Sequence, residues 1–342
     1  MRLADLFPSI LFSASVSVIS APAFIWLSKR MGLIDRPGTA PHKAHSLPTP
    51  MAGGMILAAS IGAVYLLLQP PVGGGLAGVL LGGAWVLLWG VLDDRFDLHP
   101  VVKLAAQAGA TAILVLGGIQ VLVTRVPWLD LAITALWVVG LTNAFNFVDS
   151  MDGLALGLGA IAAAFFMLVT MDAAQPELAY ISAAILGGAI GAFLYNAHPA
   201  KTFLGDSGAQ LLGFLLSAVG IAYIPAQAGL PQELTWFTPI LVMGVPIFDM
   251  VLVVYSRWRR GRPVFAAGTD HTYHRLHALG LDSTRSVLAM QLAGIFLGLV
   301  AFVLLEAPVL GANLAFGTIV GLGLVLVFWL ERRGTMNDDA LT

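Results

Sequence analysis

The chain is expected to be an all-α, polytopic integral membrane protein, and three observations predict this. It is 58% hydrophobic and only 11% charged over 342 residues, where a soluble globular chain carries about 25% charged residues. Its apolar residues gather into runs of about 20, the length a helix needs to cross the hydrocarbon core. Its basic residues collect at alternate ends of those runs, the sorting that sets orientation in a membrane. There is no cysteine, which excludes disulfides, thiolate metal sites and cysteine nucleophiles.

Breaking the chain at its charged and Pro/Gly-rich junctions gives eleven spans, near 8–28, 52–69, 75–92, 101–119, 128–147, 153–171, 177–195, 205–224, 236–255, 284–305 and 308–330. The first has a weakly basic start and the length of a crossing, so it reads as a span rather than a cleaved signal peptide. The span at 101–119 opens with Lys103, and 153–171 is rich in Gly and Ala, which suits close helix packing in lipid. An odd number of spans puts the termini on opposite sides. With the N-terminus outside, the inner segments are about 29–51, 93–103, 148–152, 196–206, 256–283 and 331–342. Every Lys and Arg except Arg2 and Arg125 then falls in or beside them, so the C-terminus is expected in the cytoplasm of a cell whose inner membrane holds the protein. All seven histidines fall on that side too. Residues 1–330 form one transmembrane catalytic domain in this reading, and "ERRGTMNDDALT" (331–342) a disordered tail. The bilayer is an expected partner and nucleic acid is not; monomer or homodimer is left open.

Five inner segments carry the polar chemistry. "LIDRPGTAPHKAHSLPTPMAGG" (33–54) is a loop by its Pro and Gly content; Lys43 there either faces anionic headgroups or holds a phosphate. In "GVLDDRFDLHPVVKLAAQ" (90–107), Asp93 and Asp94 stand at a helix C-terminus, where the macrodipole disfavours negative charge. An unpaired charge drawn toward the bilayer centre costs about 2.5–3.5 kcal/mol, so the pair makes sense if a cation or a proton transfer uses it. Lys103 in the next helix is placed to reach a phosphate. The alternative is a solvated turn of Asp94, Arg95 and Asp97 closed by Pro100. In "TNAFNFVDSMDGLA" (142–155), Asn143 and Asn146 share a helix face, and Asp149 and Asp152 extend it. Such oxygens suit Mg²⁺; otherwise the asparagines bridge helices and Asp152-Gly153 is a turn.

In "YNAHPAKTFLGDSGAQLLGF" (195–214), Pro199 closes one helix and Gly205 and Gly208 allow close backbone approach. Asp206 begins the next helix, where its charge is favoured; alone it would be an ordinary cap, but it joins the other acids on one membrane side. In "SRWRRGRPVFAAGTDHTYHRLHALGL" (256–281), Arg257, Arg259 and Arg260 read as orientation and lipid contacts, while His271, His274, Arg275 and His277 suit phosphate binding. Asp249, in "GVPIFDM", is an acid inside a span, with Pro246 breaking the helix nearby; it is functional by default but without an assigned role. Acids and amides for a divalent cation beside Lys, Arg and His for phosphates describe Mg²⁺-dependent phosphoryl transfer, with Mn²⁺ as a substitute. There is no Walker loop, which argues against a P-loop ATPase.

The stretches "DDRFDLHPVVKLAAQ", "NAFNFVDSMDGLA", "NAHPAKTFLGDSGAQLLGF" and "DHTYHRLHALGL", preceded by "HKAHSLPTPMAGG", resemble in order the signatures of polyprenyl-phosphate N-acetylhexosamine-1-phosphate transferases. The chain is most similar to the WecA/TagO-type branch and less so to the MraY branch, which transfers phospho-MurNAc-pentapeptide. The resemblance implies transfer of a sugar 1-phosphate, GlcNAc first among candidates, from a UDP-N-acetylhexosamine to undecaprenyl phosphate with release of UMP, initiating a cell-envelope polysaccharide such as lipopolysaccharide or teichoic acid. It implies Asp206 and Asn146 as metal ligands, and Asp93 and Asp94 beside the metal and the lipid phosphate, with Asp93 the candidate base. It implies Lys103, His271, His274 and Arg275 on the sugar-nucleotide phosphates, and Asp149 and Asp152 shaping the site. Two departures stand out: the usual "DGxDG" is "DSMDG", with Ser150 for glycine, and Tyr273 replaces the middle histidine of His-x-His-His-Arg. Direct attack by the lipid phosphate is the expected mechanism, with a phospho-aspartyl intermediate the runner-up. A secondary transporter would place its acids near the midplane and show repeats; an inactive scaffold would not need this set of acids.

Overall fold

The computed structural model describes residues 1–37, 47–124, 126–224, 236–264 and 268–339. Lys43 therefore lies outside the described residues. The helices, in chain order, are α1 (Leu3–Met31), α2 (Gly53–Ala63, continued by a π turn Val64–Leu68), α3 (Leu76–Phe96), α4 (Pro100–Leu116), α5 (Pro127–Val148), α6 (Leu154–Asp172), α7 (Pro176–Asn196), α8 (Gly205–Ala222), α9 (Thr238–Val242), α10 (Gly244–Arg259), α11 (Thr272–Ala278), α12 (Ser283–Val303) and α13 (Val309–Asp339). A two-residue antiparallel ribbon pairs β1 (Ile34–Asp35) with β2 (Thr49–Pro50). The protein is thus all-α and polytopic.

All eleven expected spans fall on helix. Eight of the helices are individually long and apolar enough to cross a membrane; Gly53–Leu68 and Pro100–Leu116 are shorter. The segment expected at 236–255 is broken at Met243 into α9 and α10, upstream of the Pro246 that the sequence pointed to. The sequence also dictates the helix starts. α4, α5 and α7 each begin with proline at the first helical position, where its missing N–H costs nothing and its fixed φ suits the helix. Gly32, at φ 74°, ends α1 in the left-handed conformation.

The tail expected to be disordered instead prolongs α13 to Asp339. No proline interrupts 309–339, and extending a helix that already exists is far easier than nucleating one. Glu331 is also buried against the protein, which anchors this extension.

α8 is the centre of the bundle: 78% of its span is buried, against 11% for that of α13. It packs on α3 and α5, which carry the acids, and α3 packs on α4. α1 lies along α7 through small residues, Ser13 Oγ donating to Ala184 O at 2.7 Å and Ser17 Oγ to Gly188 O at 3.0 Å. This is the close packing that membrane helices use. One end of the bundle collects the C-termini of α3 and α5 and the N-termini of α4 and α8. Asp93, Asp94, Lys103, Asn146, Asp149 and Asp206 all lie at that end.

Candidate active site

The acid centre begins with the tip between α3 and α4. Asp97, at φ 51°, ends α3, and its amide bonds to Asp93 O at 2.8 Å. The chain then reverses through His99-Pro100, which brings Lys103 back over Asp93. Lys103 Nζ lies 2.6 Å from Asp93 Oδ2 and 2.7 Å from Asp206 Oδ2. One ammonium thus bridges carboxylates from α3 and α8. Asp93 is further fixed by the Leu98 amide, which donates to Oδ1 at 2.9 Å. Asn146 hydrogen-bonds the Asp206 carboxylate from α5.

Asp94 does something different from its neighbour. Its Oδ1 accepts from the Asp206 amide at 2.7 Å and its Oδ2 from the Ser207 amide at 3.2 Å. It therefore caps α8 from another helix, a task that the N-cap residue Leu204 cannot perform. The negative charge that α3's own dipole disfavours is favoured by the N-terminus of α8. Gly205 makes this geometry available: its φ is +72°, and a Cβ there would lie 2.8 Å from Asp94 Oδ2. The family resemblance implies a place for Asp94 beside the metal and the lipid phosphate; the structure engages both of its oxygens with backbone amides.

A polar ladder continues from the acids into the bundle. Gln107 Nε2 donates to Gln210 Oε1 at 3.1 Å, and Asn143 Nδ2 donates to Gln107 Oε1 at 2.6 Å. Gln210 Nε2 in turn approaches Asp93 Oδ2 at 3.5 Å. Neither glutamine stands out in the sequence. The available signal was spacing: Gln107 follows Lys103 by four residues and Gln210 follows Asp206 by four, which stacks each on the same helix face as the charge. Asn143 thus reaches the acid centre through this ladder. Beside it, Leu104, Leu136, Val139, Phe147, Met250 and Val254 line an apolar groove of about 370 Å³ open to the bundle surface, with Asn143 also at its wall.

The loops below the acids are braced by their own polar side chains. Asp149 lies within hydrogen-bonding reach of the Gly205 amide; burial first, then the charges of Asp206, Asp94 and Asp152, push its carboxyl well above the usual range. Asp152 Oδ2 takes the Ala200 amide at 3.1 Å and lies 3.0 Å from His198 Nδ1. Asn196 accepts from the Gly153 amide and donates to Thr202 O, both at 3.0 Å. Thr202 Oγ1 donates to Pro50 O at 2.7 Å and accepts from the Ala52 amide at 3.1 Å. Asp152 is therefore a brace for the 197–201 turn.

The late loop divides its residues. Asp249, which had no assigned role, accepts from the Thr272 amide at 2.7 Å and lies 2.9 Å from His271 Nδ1. It caps α11 from α10. His274 Nε2 lies 2.6 Å from the Tyr273 hydroxyl. Arg275 points inward: it donates to Glu331 Oε2 at 2.6 Å, Leu330 O at 2.8 Å, Ser256 Oγ at 3.0 Å and Asp270 O at 3.2 Å. Expected on a phosphate, Arg275 instead ties α11 to α13. Arg257 and Arg260, expected at the lipid, pair with Asp270 at 3.2 and 3.1 Å. Burial alone would raise the Asp270 carboxyl, but Arg257 and Arg260 hold it below the ordinary range. The helix-end arginines turn inward because buried carboxylates on neighbouring segments need partners.

Chemically, the centre offers carboxylate and amide oxygens with a cation already bridging two of them. Among the described residues no three His, Cys, Asp or Glu side chains gather as a ready-made metal cage. This donor set fits Mg²⁺ nonetheless, since that ion takes one or two carboxylates and completes its shell with water and substrate phosphates.

Residues 76–224, which carry the acids from Asp93 to Asp206, match glycosyl transferase family 4. The chain is 30% identical to the probable undecaprenyl-phosphate N-acetylglucosaminyl 1-phosphate transferase of Bacillus subtilis, over 85% of this chain and 83% of the relative. It is 33% identical to the decaprenyl-phosphate N-acetylglucosaminephosphotransferase of Mycobacterium tuberculosis, over 90% and 85%. It is 25% identical to the undecaprenyl-phosphate alpha-N-acetylglucosaminyl 1-phosphate transferase of Escherichia coli, over 79% and 76%.

Proposed function

Because this chain belongs to glycosyl transferase family 4, we propose that it transfers N-acetylglucosamine 1-phosphate from UDP-GlcNAc to undecaprenyl phosphate. UMP is released, and the product starts a cell-envelope polysaccharide. The relatives are named for N-acetylglucosamine, which favours this reading over transfer of phospho-MurNAc-pentapeptide. The reaction takes place at the cytoplasmic face of the inner membrane, as the distribution of basic residues supports. The observation that carries the proposal is the Lys103 ammonium held between Asp93 and Asp206 at the meeting point of α3, α4, α5 and α8.

In the reaction, an oxygen of the lipid phosphate attacks the β-phosphorus of the sugar nucleotide. The new P–O bond forms as the bond to the UMP oxygen breaks, and UMP leaves with the electron pair. A phosphate monoester has its second pKa near 6 and is mostly ionised at neutral pH, so the attack needs no general base. Asp93, held by the Leu98 amide and Lys103, orients Lys103 toward the phosphates. Lys103 supplies positive charge where the transferring group accumulates negative charge. Asp206 and Asn146 would hold Mg²⁺, or Mn²⁺ in its place, and the bound ion would neutralise pyrophosphate charge. The apolar groove beside Asn143 receives the first isoprene units of the acceptor. A phospho-aspartyl path through Asp94 is disfavoured, because phosphorylation would remove the cap of α8.

The test is turnover of the purified protein with undecaprenyl phosphate, Mg²⁺ and a panel of UDP-sugars, read as UMP release. Activity should be highest with UDP-GlcNAc, cease with a chelator and return with Mg²⁺. Asp206→Asn should lower kcat by at least about a hundredfold; normal turnover by that variant would overturn the metal assignment.

A further inference from the structure

We propose that Tyr273 is a positioning residue that fixes which nitrogen of His274 carries the proton and aims that N–H at a substrate phosphate. The proposal rests on the sugar-nucleotide reading above for its ligand, but not for the proton's position. Tyr273 and His274 are neighbours on α11, with ring centroids 4.0 Å apart and the hydroxyl 2.6 Å from Nε2. From the turn between α5 and α6, the Ser150 hydroxyl reaches the Tyr273 oxygen. Behind them Asp249 pins His271 and the start of α11. Phe147 meets the His271 ring edge-on at 5.9 Å, and His271 stacks on Tyr273 at 5.8 Å. The hydroxyl thus meets His274 on its own helix and Ser150 from another chain segment.

The direction of the short contact follows from acidity. A phenol is a better donor than a neutral imidazole N–H, and an imidazole nitrogen is a better acceptor than a phenol oxygen. Ser150 donating to the phenol oxygen strengthens the same direction. The Tyr273 proton therefore points to Nε2, and the single imidazole proton sits on Nδ1. No protein acceptor meets Nδ1 among the described residues. The charged and titratable groups facing His274 are Asp249 from α10, Asp270 and His271 from the loop before α11, and His277 from α11 itself. Burial first, then His271, draws the imidazole down to about 4, while burial pushes the Tyr273 phenol up to about 12. At neutral pH both rings are uncharged. His274 then offers a phosphate a neutral, directed hydrogen bond, leaving the cationic role to Lys103.

Two measurements on the full-length protein in lipid test this. The first is nitrogen NMR of histidine-labelled protein, with His274 assigned through His274→Gln. The wild type should show His274 neutral with its proton on Nδ1 at pH 7, and Tyr273→Phe should move the proton toward Nε2 and raise the pKa. A proton on Nε2 in the wild type, or no change in Tyr273→Phe, would overturn the proposal whether or not the protein turns over UDP-GlcNAc. The second is the KM for UDP-GlcNAc. At pH 8, Tyr273→Phe should raise KM about tenfold, the loss of one hydrogen bond. The rise should fall on KM rather than on kcat, and Ser150→Ala should give a smaller rise of the same form. An unchanged KM, or a loss confined to kcat, would mean that Tyr273 only supports the fold, and would overturn the aiming role. No turnover with any UDP-sugar would overturn the proposed reaction and leave the NMR result standing.

Discussion

His274 makes the stability of the protein sensitive to mild acid. Its folded-state pKa of about 4 lies below the value of about 6.5 for an unfolded histidine. Between those values the unfolded chain binds the extra proton, so this contribution is complete above pH 6.5 and is lost as pH falls toward 4. Asp270, held below the ordinary carboxylate range, loses its contribution only at still lower pH and does not blur this window. Asp149, whose carboxyl burial and neighbouring acids hold above the usual range, works the other way as pH falls, so the effect of His274 is read as a difference: the thermal midpoint of the wild type should drop more between pH 7 and pH 5 than that of His274→Gln. At this scale the sequence told which residue types assemble but not their tasks. Asp93 and Asp94 look alike in the chain, yet one holds an ammonium and the other caps a helix, because successive residues on a helix point about 100° apart. Ser150 and Tyr273 stood out in the sequence as two separate departures from a pattern, and nothing there said that they meet.

Among elements, α8 depends on help from α3. Its N-terminal amides are capped by Asp94 and its first residue, Gly205, is strained for any side chain. Asp94→Ala should destabilise the protein by about 1–2 kcal/mol, the usual cost of a lost cap. Activity should fall further than stability, since Asp206 sits on the first turn that the cap orders. Thermal unfolding and UMP release on the same preparation separate the two effects. Helix existence was legible because each span is a long apolar run. The break at Met243 was not: Pro246 drew attention, but a proline in the first turn of a helix is tolerated, and the interruption fell just before it. The helical tail was missed because composition alone does not register Glu331 docking into a buried arginine cluster.

Across the whole molecule, the late loop is secured from the far end of the chain. Glu331 on α13 meets Arg275 at 2.6 Å and Arg260 at 3.5 Å, and its side chain is buried. Glu331→Gln should cost about 3–5 kcal/mol, because it leaves a buried guanidinium without its counter-charge. Tryptic cleavage after Arg259, Arg260 or Arg262 should become faster, as read by mass spectrometry of the fragments. The order of helices from centre to rim was partly legible. α8 has the lowest mean hydropathy of the eight candidate spans, 1.2, and is the most buried, whereas Ser283–Glu306 has 2.5 and is 22% buried. A helix facing lipid must be apolar all round, while one enclosed by protein can carry polar residues. Which helices touch α8 was not legible, because similar apolar faces do not encode a partner.

Beside the acid centre, α2 and α3 meet α8 backbone against backbone. A methyl on Gly54 would meet Ser207 and Gly208, one on Gly90 would meet the Ser207 backbone, and one on Gly208 would meet Gly54. Larger residues at these positions would push α8 out of place. Variation behind the acid centre is therefore closed off, because any side chain added at these seams displaces Asp206 together with its helix.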